Sequence, residues 1–134
     1  MRIAIANSAE VDAIWPSISD KIIKATLKYG SSVSSGDLWQ MCRAGNAFLV
    51  VVFDGEEVKG ALIMQFQRWA SKQVMYCLAI VGDDIQTWLP DARAFITDMA
   101  KAGGAESFIA EGREGWPALF PDAKKLRITY EVPL

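Results

Sequence analysis

The sequence predicts a single α+β domain, residues 1–134, built on a mixed sheet. An antiparallel meander of strands is followed by a parallel β-α-β crossover, and two helices precede the sheet. Three observations predict this: helical periodicity in the first third of the chain, strand-like composition in the middle third, and a long amphipathic helix between two apolar strands in the last third. The length of 134 residues and a hydrophobic content of 51% fit one globular domain.

The first third has the spacing of helices. Ser8 is the predicted N-cap. Pro16 disfavours the α conformation in the residue before it, so it predicts a break or a new helix start. This first helical stretch should stop at Gly30, and a second helix, over residues 37–44, should end at Gly45. Apolar residues recur every three or four positions in the first stretch: Val11, Ile14, Trp15, Ile18 and Ile22.

The middle third has the composition of strands. Residues 47–53 are mostly β-branched or aromatic, which predicts a buried strand. Asp54 and Gly55 are a typical hairpin turn pair. The chain should return in a second strand over residues 58–69 and, after a turn, in a third over residues 73–81. The three strands therefore predict the antiparallel meander.

The last third alternates helix and strand. Residues 83–102 form an amphipathic helix by their 3.6-residue spacing, and residues 107–111 a short strand. A helix between two buried strands predicts a parallel, right-handed crossover. Residues 115–120 should form a short helix, and the alternation over residues 127–132 predicts a final strand.

Composition excludes several classes of function. The chain has no histidine, so it has neither a Ser-His-Asp site nor a histidine-bearing zinc motif. Fourteen basic against sixteen acidic residues give a net charge of −2, whereas nucleic-acid-binding domains are typically basic, so we expect no nucleic-acid partner. The longest uncharged runs have ten residues, too few for a membrane span of about 20, and the apolar stretch within residues 1–7 is too short to predict a signal peptide. Cys42 and Cys77 are expected to be buried, reduced thiols without a metal, in a cytoplasmic protein.

The order of elements, together with local sequence, resembles the GNAT acyltransferase family over essentially the whole chain. Residues 54–61, Asp-Gly-Glu-Glu-Val-Lys-Gly-Ala, look like the hairpin between the second and third strands of that family. Three further stretches resemble the small GNAT-like proteins of tailed phages and prophages. They are Trp15-Pro16, Leu38 with Cys42-Arg43-Ala44-Gly45, and Gly112-Arg113-Glu114-Gly115-Trp116.

The resemblance implies an acetyl-CoA or other acyl-CoA site at the start of the long helix. Helix N-termini attract anions, and the family's loop pattern, Gln/Arg-x-x-Gly-x-Gly/Ala, lets backbone N–H groups approach the pyrophosphate. Of that pattern one glycine is present here, and two aspartates follow it, so the loop is degenerate. Those aspartates could instead be ordinary acidic residues of a helix start. The corresponding residues are Leu78, Ile80, Gly82, Asp83, Asp84, Ile85 and Gln86.

Glu111 is the candidate catalytic residue, because a carboxylate at the end of the fifth strand could take a proton from an amine. The tyrosine that the family places after that strand is missing; Tyr76 is a substitute or a packing residue. Arg113, Trp116 and Trp39 are candidates for the substrate cleft. The alternatives are that Glu111 is a plain strand-end residue, that Arg113 caps backbone carbonyls or pairs with Glu111, and that both tryptophans pack.

These observations lead to two main hypotheses. The first is a phage-type GNAT-like protein without conventional acetyltransferase activity, with a binding or virion-associated role. Its partner would be a phage or host protein, in the host cytoplasm or the virion. The alternative is an active acyl-CoA-dependent N-acyltransferase with an altered cofactor loop, acting on a small amine. A small-molecule sensor on the same fold is a third, weaker hypothesis, and a homodimer is compatible with all three.

Overall fold

The computed structural model describes residues 1–29, 32–111 and 116–134. Within these ranges the chain forms five strands and four helices. In chain order they are β1 (Arg2–Ile5), α1 (Ser8–Tyr29), α2 (Ser35–Ala44), β2 (Phe48–Asp54), β3 (Glu57–Trp69), β4 (Lys72–Gly82), α3 (Ile85–Ala102), β5 (Ser107–Ala110) and α4 (Trp116–Leu119).

The strands form one mixed sheet in the order β1-β2-β3-β4-β5. Neighbouring strands from β1 to β4 are antiparallel, and β5 is parallel to β4. Helix α3 makes the connection between the two parallel strands, as a crossover requires. The α+β class, the meander and the β-α-β crossover that the sequence predicts are therefore confirmed.

The sheet has an apolar core on each face. Helices α1 and α2 cover one face, where Val11, Ile18 and Ile22 of α1 pack on Ala61 and Ile63 of the sheet. Helix α3 covers the other face, through the buried residues Trp88, Leu89, Ala92, Ile96 and Ala100. Successive residues of a strand point to opposite faces, so each strand contributes to both cores.

Helix α1 begins one residue earlier than its predicted cap implies. The Oδ1 atom of Asn7 accepts from the N–H of Glu10 (2.9 Å), and a Glu10 carboxylate oxygen accepts from the N–H of Asn7 (3.1 Å). This is a capping box with Asn7 as the N-cap, so the prediction for Ser8 is wrong by one position. Ser8 instead donates its hydroxyl to the carbonyl of Arg43 (3.0 Å), which joins α1 to the end of α2.

Pro16 lies inside α1, and the predicted break there is wrong. A proline within a helix lacks one backbone N–H and crowds the preceding turn. Val11 lies before Pro16 and Ile18 and Ile22 lie after it, and all three are at most 2% exposed. A continuous helix is needed to bury them on one sheet face together, so tertiary packing outweighs the local preference.

Helix α2 begins two residues before its predicted start because Ser34 caps it. The Ser34 hydroxyl accepts from the N–H of Asp37 (3.1 Å), and the Asp37 carboxylate accepts from the N–H of Ser34 (2.9 Å). The hydrogen bond from Ser34 holds the pKa of the Asp37 carboxyl below its ordinary value. Gly45 ends the helix in the left-handed conformation (φ 79°), as predicted. The predicted end of α1 at Gly30 lies outside the described residues.

The meander strands lie within one residue of their predicted bounds, but β1 is an additional strand that the prediction lacked. It pairs with β2 over four residues, from Arg2 opposite Phe53 to Ile5 opposite Val50. Four residues carry too little alternation to separate a short edge strand from a loop.

The predicted final strand over residues 127–132 is wrong. Residues 121–134 are exposed throughout and are assigned to no strand. Ile128, Tyr130 and Val132 are 57%, 81% and 77% exposed. Their alternation reflects a preference for extended structure, but a strand also needs a partner ladder, which this part of the chain lacks in the described structure.

Trp88 fixes the position of α3 on the sheet. It is 1% exposed, and its ring lies against Gly60 of β3 and Gly82 of β4, which are paired across the two strands. A β-carbon on Gly60 would overlap this ring. Trp88 Nε1–H also donates to the carbonyl of Asp83 (2.9 Å). The glycine pair thus makes room for the ring that ties the start of α3 to the end of β4.

We expect Gly60→Ala to lower the free energy of unfolding by about 1–3 kcal/mol, because the added methyl group must displace the Trp88 ring. The measurement is urea unfolding followed by circular dichroism. Gly36→Ala is the matched control, since a β-carbon there has only the Ser34 hydroxyl within 4 Å, at 3.8 Å. Equal stability of the two variants would contradict the tight packing of Trp88.

We expect Pro16→Ala to raise the free energy of unfolding by about 1–2 kcal/mol. The substitution restores a backbone N–H in the middle of a continuous helix and removes the ring, while the more flexible unfolded chain offsets part of the gain. Ser17→Ala, at the neighbouring exposed position, is the control for a simple helix-propensity effect. A loss of stability in Pro16→Ala would indicate that Pro16 starts a separate helix after all.

Candidate functional site

Strands β4 and β5 are paired along only part of β4. The parallel pairing runs from Val74 opposite Ser107 to Cys77 opposite Ala110. Strand β4 then continues to Gly82 beside β3 alone. Its register against β3 shifts at Leu78, which is an extra residue between the pairs formed by Cys77 and Ala79. A bulge of this kind bends a strand, and here it lies where β4 continues past the end of β5.

The loop between β4 and α3 is held by hydrogen bonds within the protein. The N–H of Asp83 donates to the carbonyl of Lys59 (3.0 Å), and its own carbonyl accepts from Trp88. The Asp83 carboxylate pairs with Lys21 of α1 (3.1 Å). Asp83 therefore uses its N–H, its carbonyl and its side chain to join β3, α3 and α1.

Both loop aspartates precede α3, so their interpretation as residues of the first helical turn is wrong. The helix begins at Ile85, and Asp84 is its N-cap residue in the left-handed conformation (φ 51°). Its side chain makes no capping hydrogen bond to the helix. The predicted helix start at Asp83 is two residues early because Gly82 (φ 149°) and Asp84 turn the chain sharply between strand and helix.

Two features of these loop residues are unfavourable for an acyl-CoA pyrophosphate. The N–H of Asp83 points to Lys59 and not outward, and two carboxylates adjoin the helix start where a dianion would bind. Ile80 is buried in the α3-side core. Leu78 packs partly against the α1-side core, Ile85 partly against the α3-side core, and Gln86 is exposed. The cofactor-binding role of all seven residues stays a prediction.

A second group of polar residues lies on the other side of the bulge. Along β3, Ala61 and Ile63 contact the α1-side core, and the same face continues with Gln65, Gln67 and Trp69. Tyr76 of β4 is paired with Gln65 and lies on this face too. Glu111 follows β5 beside Tyr76. We call Gln65, Gln67, Trp69, Tyr76 and Glu111 the polar sheet face.

Hydrogen bonds run along the polar sheet face from one residue to the next. Gln65 Nε2–H donates to the carbonyl of Asn46 (3.0 Å), and Gln67 Nε2–H donates to Gln65 Oε1 (3.1 Å). Trp69 Nε1–H in turn donates to Gln67 Oε1 (3.2 Å). Each side chain is therefore oriented by the next, and the Trp69 ring is held in place by β3 and the end of α2.

Glu111 and Tyr76 are in contact, as a proton-transfer site would require. Burial raises the pKa of the Tyr76 phenol above its ordinary value, and the neighbouring, hydrogen-bonded Glu111 carboxylate raises it further. Tyr76 is thus held in its neutral form. Arg127 Nη2 contacts Glu111 Oε1 at 2.5 Å, and this contact raises the pKa of the Arg127 guanidinium.

The other sequence-predicted residues do not join this group in the described structure. Trp39 donates its Nε1–H to Asp12 of α1 (3.0 Å) and lies under Arg43, whose Cζ is 4.6 Å from the ring centroid. It connects α1 to α2, in agreement with the packing alternative. Arg113 lies outside the described residues, as does the side chain of Trp116.

Both cysteines are buried, as expected, and burial raises the pKa of the Cys42 thiol to about 11. Among the described residues no group of histidine, cysteine and carboxylate side chains could hold a metal ion. No helix within residues 1–29, 32–111 and 116–134 is long and apolar enough to cross a membrane.

Sequence reasoning did not place Trp69 and Arg127 beside Glu111, where the structure has them. Arg127 was assigned to a predicted strand, and 16 positions separate it from Glu111. The one available signal was the succession Gln65-x-Gln67-x-Trp69 on a single strand face, which is unusually polar beside the apolar row Leu62, Met64 and Phe66.

We expect Tyr76 to ionise above the pH at which an exposed tyrosine does. The neutral form is favoured in the folded state, so this stabilisation is complete below about pH 10 and is lost as pH rises through the higher folded pKa. At pH 11, Tyr76→Phe should leave the absorbance at 295 nm unchanged, because the Tyr76 phenol is still neutral there. A fall in absorbance on this substitution would contradict the burial of Tyr76 beside Glu111.

Comparison with known proteins identifies the fold. No protein-family model matches the chain, and no curated protein matches its sequence. Solved structures do match over its whole length. A protein described as a probable acetyltransferase has 16% sequence identity and a TM-score of 0.73, and the match covers 100% of this chain and 98% of that one.

Two further structures agree. An aminoglycoside acetyltransferase from an uncultured soil metagenomic sample, in complex with sisomicin, has 13% identity and a TM-score of 0.67, with 99% and 95% of the two chains covered. A GNAT family acetyltransferase from Staphylococcus aureus has 10% identity and a TM-score of 0.66, with 99% and 98% covered. At these identities the match concerns architecture alone. Together with the meander and the parallel crossover, it shows that this chain has the GNAT acetyltransferase fold.

Proposed function

We propose that the chain is a binding protein on the GNAT fold and does not carry out conventional acetyl transfer. The observation that carries the proposal is the state of Asp83, whose N–H, carbonyl and carboxylate are all engaged within the protein. Acetyltransferases of this family use an acyl-CoA, whose pyrophosphate needs outward N–H groups at this loop. Here the loop instead connects β3, α1 and α3.

Charge supports the same proposal. A helix N-terminus attracts an anion by typically 0.3–1 kcal/mol at an exposed site. Two unit charges about 4 Å apart in water repel each other by about 1 kcal/mol. Asp83 and Asp84 place two carboxylates directly before α3, so they oppose the attraction of the helix for a dianion. Lys21 pairs with the Asp83 carboxylate and offsets part of this repulsion, while the Asp84 carboxylate makes no capping hydrogen bond to the helix.

The biological setting of the proposal comes from the sequence resemblance. The Gly112-Arg113-Glu114-Gly115-Trp116 stretch and the Cys42-Arg43-Ala44-Gly45 stretch are similar to the GNAT-like proteins of tailed phages. A phage-type protein would bind a phage or host protein in the host cytoplasm or within the virion. The polar sheet face is the surface that we assign to binding.

One observation favours a second candidate, an acyl-CoA-dependent N-acyltransferase acting on a small amine. Glu111 directly follows β5 and contacts Tyr76, which is paired with Ile109 near the end of the β4–β5 pairing. In that function Glu111 would accept a proton from the ammonium group of the substrate, and Tyr76, held neutral, would be a proton donor. The two candidates differ in whether acetyl-CoA binds.

Calorimetric titration with acetyl-CoA to 1 mM distinguishes them, with melting temperature as a second readout. A ligand of the folded state raises stability by RT ln(1 + [L]/Kd), so we expect no saturable heat and no rise in melting temperature. Saturable binding to the unmodified protein with a Kd below about 1 mM would overturn the proposal in favour of the acyltransferase.

Two double variants test whether the loop carboxylates prevent acetyl-CoA binding. Asp83→Asn with Asp84→Asn removes both loop carboxylates, and Asp91→Asn with Asp98→Asn removes the same charge from exposed positions in the body of α3. Binding gained only by the first pair would identify the loop carboxylates as the obstacle. Equal binding by both pairs would show that net charge, and not the loop, controls acetyl-CoA affinity.

A further inference from the structure

The guanidinium group of Arg127 lies in a site formed by the polar sheet face. One of its nitrogens contacts Glu111 Oε1 at 2.5 Å. Its central carbon, Cζ, lies 5.0 Å from the centroid of the Trp69 ring. A carboxylate beside an aromatic face is a combination that binds organic cations, because ion pairing and cation–π attraction act on the same group.

The site does not depend on Arg127 for its shape. Hydrogen bonds from Trp69 to Gln67, from Gln67 to Gln65 and from Gln65 to the Asn46 carbonyl orient the ring from within the folded domain. Tyr76 is in contact with Glu111 on the other side. A site whose walls are held in this way is ready for a ligand, since little ordering is needed on binding.

Arg127, which occupies the site in this structure, belongs to an exposed segment of the chain. Phe120 packs against Phe108 of β5 on the α3 side of the sheet (5.4 Å between ring centroids). Residues 120–127 therefore carry the chain past the β5 edge to the polar sheet face. Residues 121–134 are all exposed, and the Arg127 side chain itself is 62% exposed. Arg127 thus resembles a tethered ligand more than a core residue.

We infer that Glu111 and Trp69, positioned by Tyr76 and Gln67, form a binding site for a guanidinium group, which Arg127 occupies in competition with an external ligand. The inference rests on the proposed function and deepens it by naming the ligand class of the same face. A guanidinium is favoured over an ammonium because it is planar. Its edge can pair with a carboxylate while its face lies over an aromatic ring.

The test follows Trp69 by NMR, because affinities for small cations are weak. Methylguanidinium is titrated while the indole N–H signal of Trp69, assigned with Trp69→Phe, is recorded. If the tail occupies the site for nine-tenths of the time, Arg127→Ser should bind about tenfold more tightly than the unmodified protein. Equal affinities, or no shift of the Trp69 signal in Arg127→Ser, would overturn the inference.

Arg43→Ser is the matched control. Arg43 also pairs with a carboxylate, Asp12 (3.2 Å), and lies over an indole ring, Trp39 (4.6 Å), but it connects α1 and α2 and does not contact the segment that carries Arg127. It should leave the methylguanidinium affinity measured at Trp69 unchanged. Adding Glu111→Gln to Arg127→Ser should abolish binding, and a melting curve of the double variant shows that it is folded. Retained binding in the folded double variant would overturn the assignment.

Two further probes define the ligand. Methylammonium should bind Arg127→Ser at least tenfold more weakly than methylguanidinium, and equal binding would overturn the guanidinium assignment. A Gly-Arg-Gly peptide that binds more tightly than methylguanidinium indicates a polypeptide source, and equal affinities indicate a small molecule; both results support the site. Acetyl-CoA binding is measured separately, so the proposed function can fail while the guanidinium site stands.

Discussion

The packing of Trp88 on two glycines is the constraint on which the junction between β4 and α3 depends. Gly60 and Gly82 face each other on neighbouring strands, and only their missing side chains leave room for the ring. The hydrogen bond from the indole to the Asp83 carbonyl then fixes the loop. One buried side chain therefore determines where β4 ends, where α3 begins and which way the intervening backbone N–H points.

This arrangement separates two regions that an acetyltransferase of this fold would use together. At the start of α3, Asp83 is engaged through its N–H, carbonyl and carboxylate, and it joins β3, α3 and α1. On the other side of the Leu78 bulge, the partly buried Tyr76 contacts the exposed Glu111. If the proposed function holds, the loop before α3 serves as a structural connection and the polar sheet face as the binding surface.

The fold followed from the sequence wherever local pattern and tertiary structure agree. The strands of the meander were predictable because β-branched runs are bounded by clear turn residues. Pro16 was misjudged because burial of α1 on both sides of it outweighs a local preference, and residues 127–132 were misjudged because alternation does not supply a partner strand. The position of Glu111 at the end of the fifth strand could be predicted, because the strand itself was. Its contact with Arg127 could not, since it depends on how the chain passes the sheet edge.

The path of the last residues around β5 has a consequence for coupling. Arg127 reaches the polar sheet face from a segment that continues, exposed, to Leu134. A partner that bound residues 128–134 in a conformation incompatible with the present one would separate Arg127 from Glu111 and Trp69. Because linkage is reciprocal, a ligand that displaced Arg127 would in turn release the C-terminal segment for capture. Binding at residues 128–134 and binding at the polar sheet face would then each raise the affinity of the other site for its ligand.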